Sequence, residues 1–488
     1  MNYVSPESCG VKTEAIIKFI ERIENEGLAT HDVIFTRGNN IFFEAYWKPF
    51  DKDYLHRQYS VTKSVVAIAV GFLLQDGLIS LDDPIEKYFQ DKITGETDAN
   101  LRRQTIRNML TMTTALPAEN WFKARSDDRV RFYFENKNKP SVKGGTLFKY
   151  DSSGTFVIGA LVERLSGKSF IGYMREKLFD KIGVSQGAAC LKCPGGHSWS
   201  DSALICTAHD LLKIARFTLN FGEWNGEQIL DREYLEEATS PLVINNYIDS
   251  RSYESMGYGY YFWHDRGKSF SFNGMGCQFA LCIPETDMIM IYHGDNQGNE
   301  IAKKIIFDSF YELISDAASE TAIEENSAES KKLEKLKSGL ILCAAKGKSD
   351  SGTAAKINGK EYVFSENRMG LKNIRFEFGK ENIMYYENEQ GKKKLVFGIC
   401  ENAFSEFEQD GYSDEIGSQK GERRYKCAAS ASWLSENMLY LKTQIIDTYF
   451  GNIHTVFSFD GDTVSIESEK TAEDFLNEYE GRAFGIQK

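Results

Sequence analysis

QYSVTKSVVAIAVGFLLQDG, residues 58–77, is the stretch that decides the fold of this chain. Its middle is apolar at every position except Gly71, and an α-helix of that composition is buried on all sides. Gly77 supplies the left-handed residue that ends such a helix. The stretch therefore predicts a helix in the centre of the protein, with Ser60 and Lys63 at its N-terminal end.

Ser60 and Lys63 are one helical turn apart, so the lysine amine can reach the serine hydroxyl. A serine is a weak nucleophile until a base takes its proton, and a lysine in a dry pocket has a lowered pKa that suits this role. The unpaired N–H groups at the start of the helix favour negative charge. The alternative is that Ser60 only caps the helix while Lys63 points to solvent.

The composition limits the class of protein. A chain of 488 residues is too long for one ordinary core, so two or three domains are expected. A net charge of −13 argues against nucleic acid or an anionic membrane as a partner. No apolar run is long enough to span a membrane, and the first residues lack the features of a secretory signal. Nine dispersed cysteines favour a reducing compartment, so a cytoplasmic protein is predicted.

The cysteines and histidines, the residue types that most often bind metals, do not form a recognisable metal-binding motif. Cys190 and Cys193 are the one close cysteine pair, and they are expected to be loop thiols because no second pair or histidine cluster accompanies them. The seven histidines are dispersed. His56 and His293 are expected near the site but are interpreted as structural or surface residues. The sequence therefore predicts no metal and no cofactor.

The order of strand-like and helix-like segments predicts an antiparallel sheet covered by helices. A hairpin is predicted at 32–46, and further strands at 259–263, 268–272, 278–283 and 288–292 follow a long helical insertion. Helices at 12–26 and 301–314 can cover this sheet. The predicted fold class is α/β (α+β), with a large helical subdomain.

Three regions are predicted from these patterns. Residues 1–317 form the sheet-and-helix domain, and residues 318–338, which lack aromatic side chains, form a linker or a polar helix. Residues 339–488 contain many short, evenly spaced strands, which predict an all-β barrel or sandwich. This last domain is expected to shape substrate access or an oligomer contact.

Tyr150 lies in the run FKYDSSG at 148–154, ahead of a predicted helix. A phenol on such a loop can point into a cleft, and a tyrosine can act as acid or base when nearby cations lower its pKa. The alternative is a core tyrosine. The chain has 24 tyrosines, so the residue type alone does not decide between these interpretations.

An ordered set of motifs resembles the superfamily of serine β-lactamases and penicillin-binding proteins. The motifs are SVTK at 60–63, LDDPI at 81–85, TIRNMLTMTT at 105–114 and YDSSG at 150–154. The chain looks most similar to the class C-like serine hydrolases, which include esterases, D-aminopeptidases and amide-oligomer hydrolases. The resemblance covers about residues 5–315, and the ordered set is far more specific than any single motif.

The resemblance implies a role for each matching residue. Ser60 would be the acylated nucleophile, Lys63 its activating partner, and Tyr150 the group that moves protons to the leaving group. The third family motif should fall at 272–274, with Phe272, Asn273 and Gly274 beside the cleft. The oxyanion hole would consist of the backbone N–H groups of Ser60 and Met275.

Two positions depart from the family pattern. Ser152 replaces the asparagine that helps to hold substrate, and Phe272 replaces a cation that commonly meets a substrate carboxylate. Both changes favour a small acyl substrate that is less acidic than a β-lactam or a peptidoglycan peptide. Trp121 and Tyr258 are predicted to line the pocket for such a substrate.

The sequence therefore predicts a serine hydrolase that forms an acyl-enzyme on a small ester or amide. Its partners are expected to be the acyl substrate and, in some form, further copies of the chain. One alternative is a penicillin-recognising D-peptidase, β-lactamase or acyltransferase. Another is a non-catalytic binding protein with the same fold, for which the altered Ser152 and Phe272 are the hints.

Overall fold

A computed structural model describes residues 1–124, 126–136, 141–247, 253–409, 424–471 and 474–488. The chain divides into two compact units. The first is built from Met1–Gly294 and Ile301–Ile341, and the second from Asp295–Glu300 and the described residues from Leu342 onward. The predicted boundaries at 317 and 339 stay predictions, and Ile301–Ile341 groups with the first unit.

A seven-stranded sheet forms the centre of the first unit, as found among the described residues. The strands of this unit are β1 Asn2–Tyr3, β2 Thr30–Arg37, β3 Asn40–Tyr46, β4 His56–Arg57, β5 Ala189–Cys190, β6 Leu204–Cys206, β7 Glu223–Trp224, β8 Glu227–Gln228, β9 Trp263–His264, β10 Phe270–Gly274, β11 Gln278–Ile283 and β12 Met288–Gly294. The sheet order is β1-β3-β2-β12-β11-β10-β9, and every pair except β1–β3 is antiparallel. Strands from the two ends of this region therefore meet at β2 and β12.

Helices cover both faces of this sheet. The helices of the first unit are α1 Thr13–Asn25, α2 Val61–Gln75, α3 Ala99–Arg103, α4 Ile106–Leu110, α5 Arg129–Phe134, α6 Ser152–Ser166, α7 Phe170–Met174, α8 Asp180–Ile182, α9 Ala208–Leu219, α10 Arg232–Thr239, α11 Ala302–Phe310 and α12 Ser327–Ser338. On one face Leu281 belongs to the core formed with α1 and α11, and Phe279 packs against Phe307 with ring centroids 5.0 Å apart. Cys282 points to the other face, where its Sγ lies 4.0 Å from the Ala215 oxygen of α9.

Helix α2 is buried from Val61 to Leu73, which confirms the predicted central helix. Gly77 has φ of 70° and follows the helix end, as predicted. Gly71 lets α10 approach closely, because a Cβ atom there would lie 2.4 Å from Cε1 of Tyr234. The Tyr234 hydroxyl donates to the Ala67 oxygen at 2.6 Å.

The strand predicted at 259–263 is wrong for most of its length, since only Trp263–His264 form a strand. Tyr261 has φ of 60°, which breaks the extended backbone. Its N–H donates to the Leu110 oxygen at 3.0 Å and that of Tyr260 to the Ala238 oxygen at 2.8 Å, so these groups bond outside the sheet.

The region 318–338 contains helix α12, and its Leu333 side chain is buried in the core of the first unit. None of the helices in the described ranges combines the length and the apolar character that a membrane crossing requires.

The second unit is a β-barrel. Its helix is α13 Gly352–Ile357, and its strands are β13 Glu361–Phe364, β14 Asn373–Glu377, β15 Asn382–Asn388, β16 Gly391–Ile399, β17 Ala403–Glu408, β18 Arg424–Trp433, β19 Met438–Ile446, β20 Phe450–Asp460, β21 Thr463–Thr471 and β22 Gly481–Gln487. Parallel pairing of β16 with β18 closes a barrel of nine described strands, and β17 pairs with β18 beside it. The predicted all-β domain is confirmed, and of the two predicted architectures, barrel and sandwich, the barrel is correct.

The interior of the barrel is aromatic. Phe376 and Phe457 pack with ring centroids 5.1 Å apart, and Trp433 is 1% exposed. A cavity of about 610 Å³ is lined by residues 363–372, 388–390 and 478, whose side chains mix acidic, basic, amide and apolar groups.

Candidate active site

A strained turn presents Ser60 at the start of α2. Tyr59 has φ of 45°, in the left-handed region that a bulky residue adopts only when its surroundings hold it there. Arg57 is buried, and its Cζ lies 4.3 Å from the ring centroids of both Tyr59 and Trp199. These ring contacts support the turn. The Ser60 hydroxyl makes no hydrogen bond that caps the helix.

Lys63 is buried one turn after Ser60, with 1% of its surface exposed. Its Nζ donates to Ser60 Oγ at 2.9 Å and to the backbone oxygen of Asp201 at 2.6 Å. The alternative geometry, with Ser60 as a simple cap and Lys63 in solvent, does not occur. An amine at hydrogen-bond distance from a hydroxyl is placed to exchange a proton with it.

Asp201 adds a buried carboxyl group near the Lys63 amine. The Asp201 side chain is fully buried, and Trp121 Nε1 donates to its Oδ2 at 3.3 Å. Burial raises the pKa of the Asp201 carboxyl, and the charge of Lys63 acts in the opposite direction. Trp121, a predicted pocket residue, is 4% exposed, and the Arg129 guanidinium stacks 4.0 Å from its ring centroid.

Tyr150 lies beside Lys63. The Lys63 Nζ is 5.1 Å from the centroid of the Tyr150 ring, which is a cation–π distance. The same ring stacks on Trp263, with centroids 5.7 Å apart and an angle of 18° between the planes. Tyr150 is 36% exposed, so its ring is held by two contacts and is still reached by solvent. The structure therefore brings Ser60, Lys63 and Tyr150 together.

Ser152 is half-buried at the first position of α6. Its neighbour Asp151 caps this helix, since the Asp151 carboxylate accepts from the Gly154 N–H at 3.1 Å and from the Ser153 hydroxyl. Burial raises the pKa of the Asp151 carboxyl. The cap fixes the point where the loop that carries Tyr150 joins the helix. A contact between Ser152 and substrate stays a prediction.

Phe272 has no exposed surface. Its ring packs edge-on against Phe262, with centroids 4.9 Å apart. Tyr258 is 1% exposed and packs edge-on against Trp263 at 4.8 Å. In this structure both predicted substrate-binding side chains fill the interior around the site. A direct substrate contact by either one stays a prediction.

Asn273 contacts a lysine behind the strand. In the amide orientation that satisfies its neighbours, Asn273 Oδ1 accepts from Lys303 Nζ at 2.6 Å, and its Nδ2 donates to Ser271 Oγ at 3.1 Å. The Lys303 side chain is 13% exposed, and its burial lowers the pKa of the amine. The Lys303 amine thus hydrogen-bonds to Asn273, the second residue of the motif. In the family pattern the cation is a side chain at the first position of the motif, where this chain has Phe272.

Gly274 allows strand β10 to touch the turn before Ser60. A Cβ atom at Gly274 would lie 2.3 Å from the Gln58 oxygen, so only glycine fits there. Met275 follows in the turn after β10 and is 45% exposed. The two segments that carry the Ser60 and Met275 N–H groups are thus in direct contact. Their function as an oxyanion hole stays a prediction.

Asp32, His56 and His293 form a fully buried cluster whose possible metal-ligand atoms lie within 4.8 Å of one another. The rings of His56 and His293 stack with centroids 4.4 Å apart and an angle of 8°, and His293 Nδ1 is 2.8 Å from Asp32 Oδ1. A metal lies in the plane of each imidazole that binds it, so two parallel stacked rings suit a shared ion poorly. The arrangement fits a hydrogen-bonded cluster better than a metal site.

Sequence reasoning missed the roles of Asp201 and Trp263 around Lys63 and Tyr150. Asp201 is 138 positions from Lys63, and no local pattern marks a residue whose backbone oxygen will meet a distant amine. The β-rich surroundings of Trp263 predict a strand, and nothing in that pattern indicates a stacking partner for Tyr150.

Comparisons with known proteins give the family. The beta-lactamase family matches residues 18–303, which is more than half of the 488-residue chain. The 6-aminohexanoate-dimer hydrolase of Paenarthrobacter ureafaciens is 23% identical over 248 residues, which are 48% of this chain and 63% of that protein. The chain therefore spans less than two thirds of that relative's length.

Solved structures share the fold. A proposed 6-aminohexanoate-dimer hydrolase from Bacillus anthracis superimposes with a TM-score of 0.53 at 16% identity, over 60% of this chain and 81% of that chain. An octameric penicillin-binding protein homologue from Pyrococcus abyssi gives a TM-score of 0.50 at 14% identity, over 96% of this chain and 99% of that chain. The chain thus belongs to the beta-lactamase family, and it carries an additional C-terminal β-barrel.

Proposed function

We propose that this protein is a serine hydrolase that forms an acyl-enzyme on Ser60. The observation that supports this most directly is the buried Lys63 amine, which lies 2.9 Å from Ser60 Oγ and 5.1 Å from the Tyr150 ring centroid. A hydroxyl, an amine and a phenol in one place provide a nucleophile and two groups that can transfer its proton.

The proposed reaction has two halves. Ser60 Oγ attacks the carbonyl carbon and its proton passes to Lys63 or Tyr150, while the carbonyl oxygen becomes an oxyanion at the N–H groups of Ser60 and Met275. The oxyanion collapses, the leaving group departs with a proton that Tyr150 delivers, either the one it took from Ser60 or one that it replaces from Lys63, and the acyl group stays on Ser60. Water then attacks this ester by the same route and releases the acid. A preorganised oxyanion donor typically contributes about 3–4 kcal/mol to lowering the barrier.

The proposed substrate is a small, uncharged ester or amide. The motif position at which the family commonly has a cation for a substrate carboxylate is the apolar, fully buried Phe272 in this chain, and Lys303 is already bonded to Asn273. Exposed apolar side chains lie on loops that flank the site in sequence, with Leu147 56% and Met275 45% exposed. The named hydrolase relative acts on an amide dimer, which supports including amides in the first screen.

Acylation of Ser60 is tested by intact-mass measurement after mixing the protein with p-nitrophenyl esters, small amides and a β-lactam. We expect a mass increase equal to the acyl group on the Ser60 peptide, and loss of both adduct and hydrolysis in Ser60→Ala. Ser64→Ala is the matched control, because Ser64 is a buried serine of the same helix whose hydroxyl donates to the Tyr261 oxygen. Wild-type rates in Ser60→Ala would refute the proposal.

The alternative of a penicillin-recognising D-peptidase or acyltransferase makes a different prediction in the same screen. A stable penicilloyl adduct on Ser60 without ester turnover would favour it. The lack of any adduct, including with a fluorophosphonate probe, would favour a non-catalytic binding protein.

We also propose a cytoplasmic location and a homo-oligomeric state. All nine cysteines are free thiols, which supports a reducing compartment. The Pyrococcus abyssi homologue, which is octameric, is similar over 96% of this chain. Native mass spectrometry should therefore give a multiple of the 55.4 kDa chain mass. A monomer at micromolar concentration would contradict this part of the proposal.

A further inference from the structure

Two buried glutamines, Gln278 and Gln58, hydrogen-bond the two segments of the proposed oxyanion hole to the end of β12. Gln278 is fully buried, and its Nε2 donates to the Met275 oxygen at 3.1 Å and to the Gly294 oxygen at 2.6 Å. One amide group therefore links the turn that carries the Met275 N–H to the last residue of β12. Gly294 follows His293 in β12, and His293 contacts Gln58 in the turn before Ser60.

Gln58 links the turn before Ser60 to the same end of β12. Its Nε2 lies 3.1 Å and its Oε1 3.2 Å from His293 Nε2. The other ring nitrogen of His293 is 2.8 Å from Asp32 Oδ1, and all three side chains are fully buried. A carboxylate only accepts hydrogen bonds, so His293 Nδ1 donates to Asp32 Oδ1, and His293 Nε2 is left to hydrogen-bond with the Gln58 amide.

The two linked segments also touch each other. The backbone oxygen of Gln58 accepts a hydrogen bond from the Val61 N–H, in the first turn of α2, at 3.1 Å. The same oxygen lies so close to Gly274 that a Cβ atom at Gly274 would not fit. A movement of either segment by a few tenths of an ångström changes the separation of the Ser60 and Met275 N–H groups. Oxyanion stabilisation depends on donors that are already in place before the reaction.

We infer that Gln58, Gln278, His293 and Asp32 are positioning residues that set the separation of the two oxyanion donors. The end of β12 is the common anchor: His293 fixes the Ser60 side, and the Gly294 oxygen fixes the Met275 side. This inference rests on the proposed function, because the oxyanion hole is part of that proposal. It adds four residues that do not touch substrate and that act through the backbone.

The test uses Gln278→Met, which keeps the length of the side chain and removes both hydrogen bonds. The matched control is Gln104→Met. Gln104 is also a buried glutamine with two hydrogen bonds, one to the Tyr133 hydroxyl at 2.8 Å and one from the Ala115 N–H at 2.9 Å. Both variants are examined as full-length protein by thermal unfolding, ester hydrolysis and inhibition by an alkyl boronic acid, whose tetrahedral adduct mimics the transition state.

We expect Gln278→Met to lower kcat about 10- to 100-fold with KM within about threefold, because oxyanion donors act on the transition state. The boronate Ki should rise by a similar factor. Gln104→Met should lose comparable thermal stability and keep kcat within about twofold. Equal kcat losses in the two variants, or an unchanged boronate Ki in Gln278→Met, would overturn the inference.

A second variant makes the test independent of one substitution. Gln58→Met removes the contact with His293 from the other segment, and it should show the same split between kcat and KM if Gln278→Met does not fold. Failure of the proposed function is separate, since it would appear as wild-type protein without an adduct on Ser60. Elemental analysis of the wild-type protein completes the test, because a stoichiometric metal at Asp32, His56 and His293 would contradict the hydrogen-bonded arrangement.

Discussion

Burial of the Lys63 amine is costly unless hydrogen bonds replace its water. Ser60 Oγ and the Asp201 oxygen supply two acceptors, and the face of the Tyr150 ring supplies a third favourable contact. All three partners belong to the proposed site. The lysine is thus held next to the hydroxyl whose proton it would accept, so its position and its chemistry depend on each other.

The Tyr150 hydroxyl can be tested without disturbing the ring. In Tyr150→Phe the stacking on Trp263 and the contact with Lys63 are kept, and only the proton-carrying group is lost. We expect kcat for ester hydrolysis to fall about 10²- to 10⁴-fold, the range for a lost general acid or base, with little change in thermal stability. The control is Tyr385→Phe in the second unit, where Arg375 Cζ similarly lies 4.5 Å from the ring centroid.

Asp265 should make stability fall as pH rises. Burial raises the pKa of its carboxyl to about 7 in the folded protein, while the nearby Lys303 charge acts in the opposite direction. Between pH 4 and pH 7 the unfolded chain has lost this proton and the folded protein keeps it, so folding becomes less favourable, by up to about 4 kcal/mol. Asp265→Asn removes this dependence.

Urea unfolding of wild type and Asp265→Asn at pH 5 and pH 8 measures the effect. The free energy of unfolding of the variant, relative to wild type, should be higher at pH 8 than at pH 5. A difference that does not change with pH would show that Asp265 is ionised in the folded state throughout this range.

At the scale of elements, two glycines allow close packing around α2. Gly71 faces the Tyr234 ring of α10, and Gly274 faces the backbone that leads into α2. Alanine is a better helix former than glycine by about 1 kcal/mol, so Gly71→Ala would stabilise an isolated helix. In the folded protein the added methyl group meets the Tyr234 ring.

Gly71→Ala should therefore destabilise the protein, by about 1–3 kcal/mol, because overpacking outweighs helix propensity. Thermal or urea unfolding measures this. The control is the double variant Gly71→Ala/Tyr234→Leu, in which the smaller side chain makes room for the methyl group. Its loss of stability should be smaller than the sum of the two single losses. Additive losses would show that the contact does not limit the packing of α2.

At the scale of the whole molecule, the chain contains two units with separate cores. Chains of this kind often unfold in more than one step. We expect two transitions in urea when fluorescence is compared with circular dichroism. Trp433 reports on the barrel, since the other five of the six tryptophans lie in the first unit.

Trp433→Phe should remove the fluorescence change of one transition and leave the other in place. Its circular dichroism should still show both. A single transition with the same midpoint for both signals would show that the two units unfold cooperatively.

The sequence by itself determined the elements whose signals are local. The apolar run at 58–77 predicted a helix buried on all sides, because a helix that is apolar on every face would expose apolar side chains in any partly exposed position. The spacing of Ser60 and Lys63 fixed their contact, since residues one turn apart meet on any helix. The short strands after residue 339 fixed an all-β domain.

Only the tertiary structure decided what surrounds Ser60. Pairing of β2 with β12 brings Asp32 to His293 across 261 positions, and pairing of β4 with β6 brings the segment that contains Asp201 close to the start of α2, where its oxygen meets Lys63. The direction of Phe272 was likewise undetermined, because a shift of one residue turns every side chain of a strand to the other face. Contacts between distant segments depend on strand order and register, and no local pattern of residues encodes these.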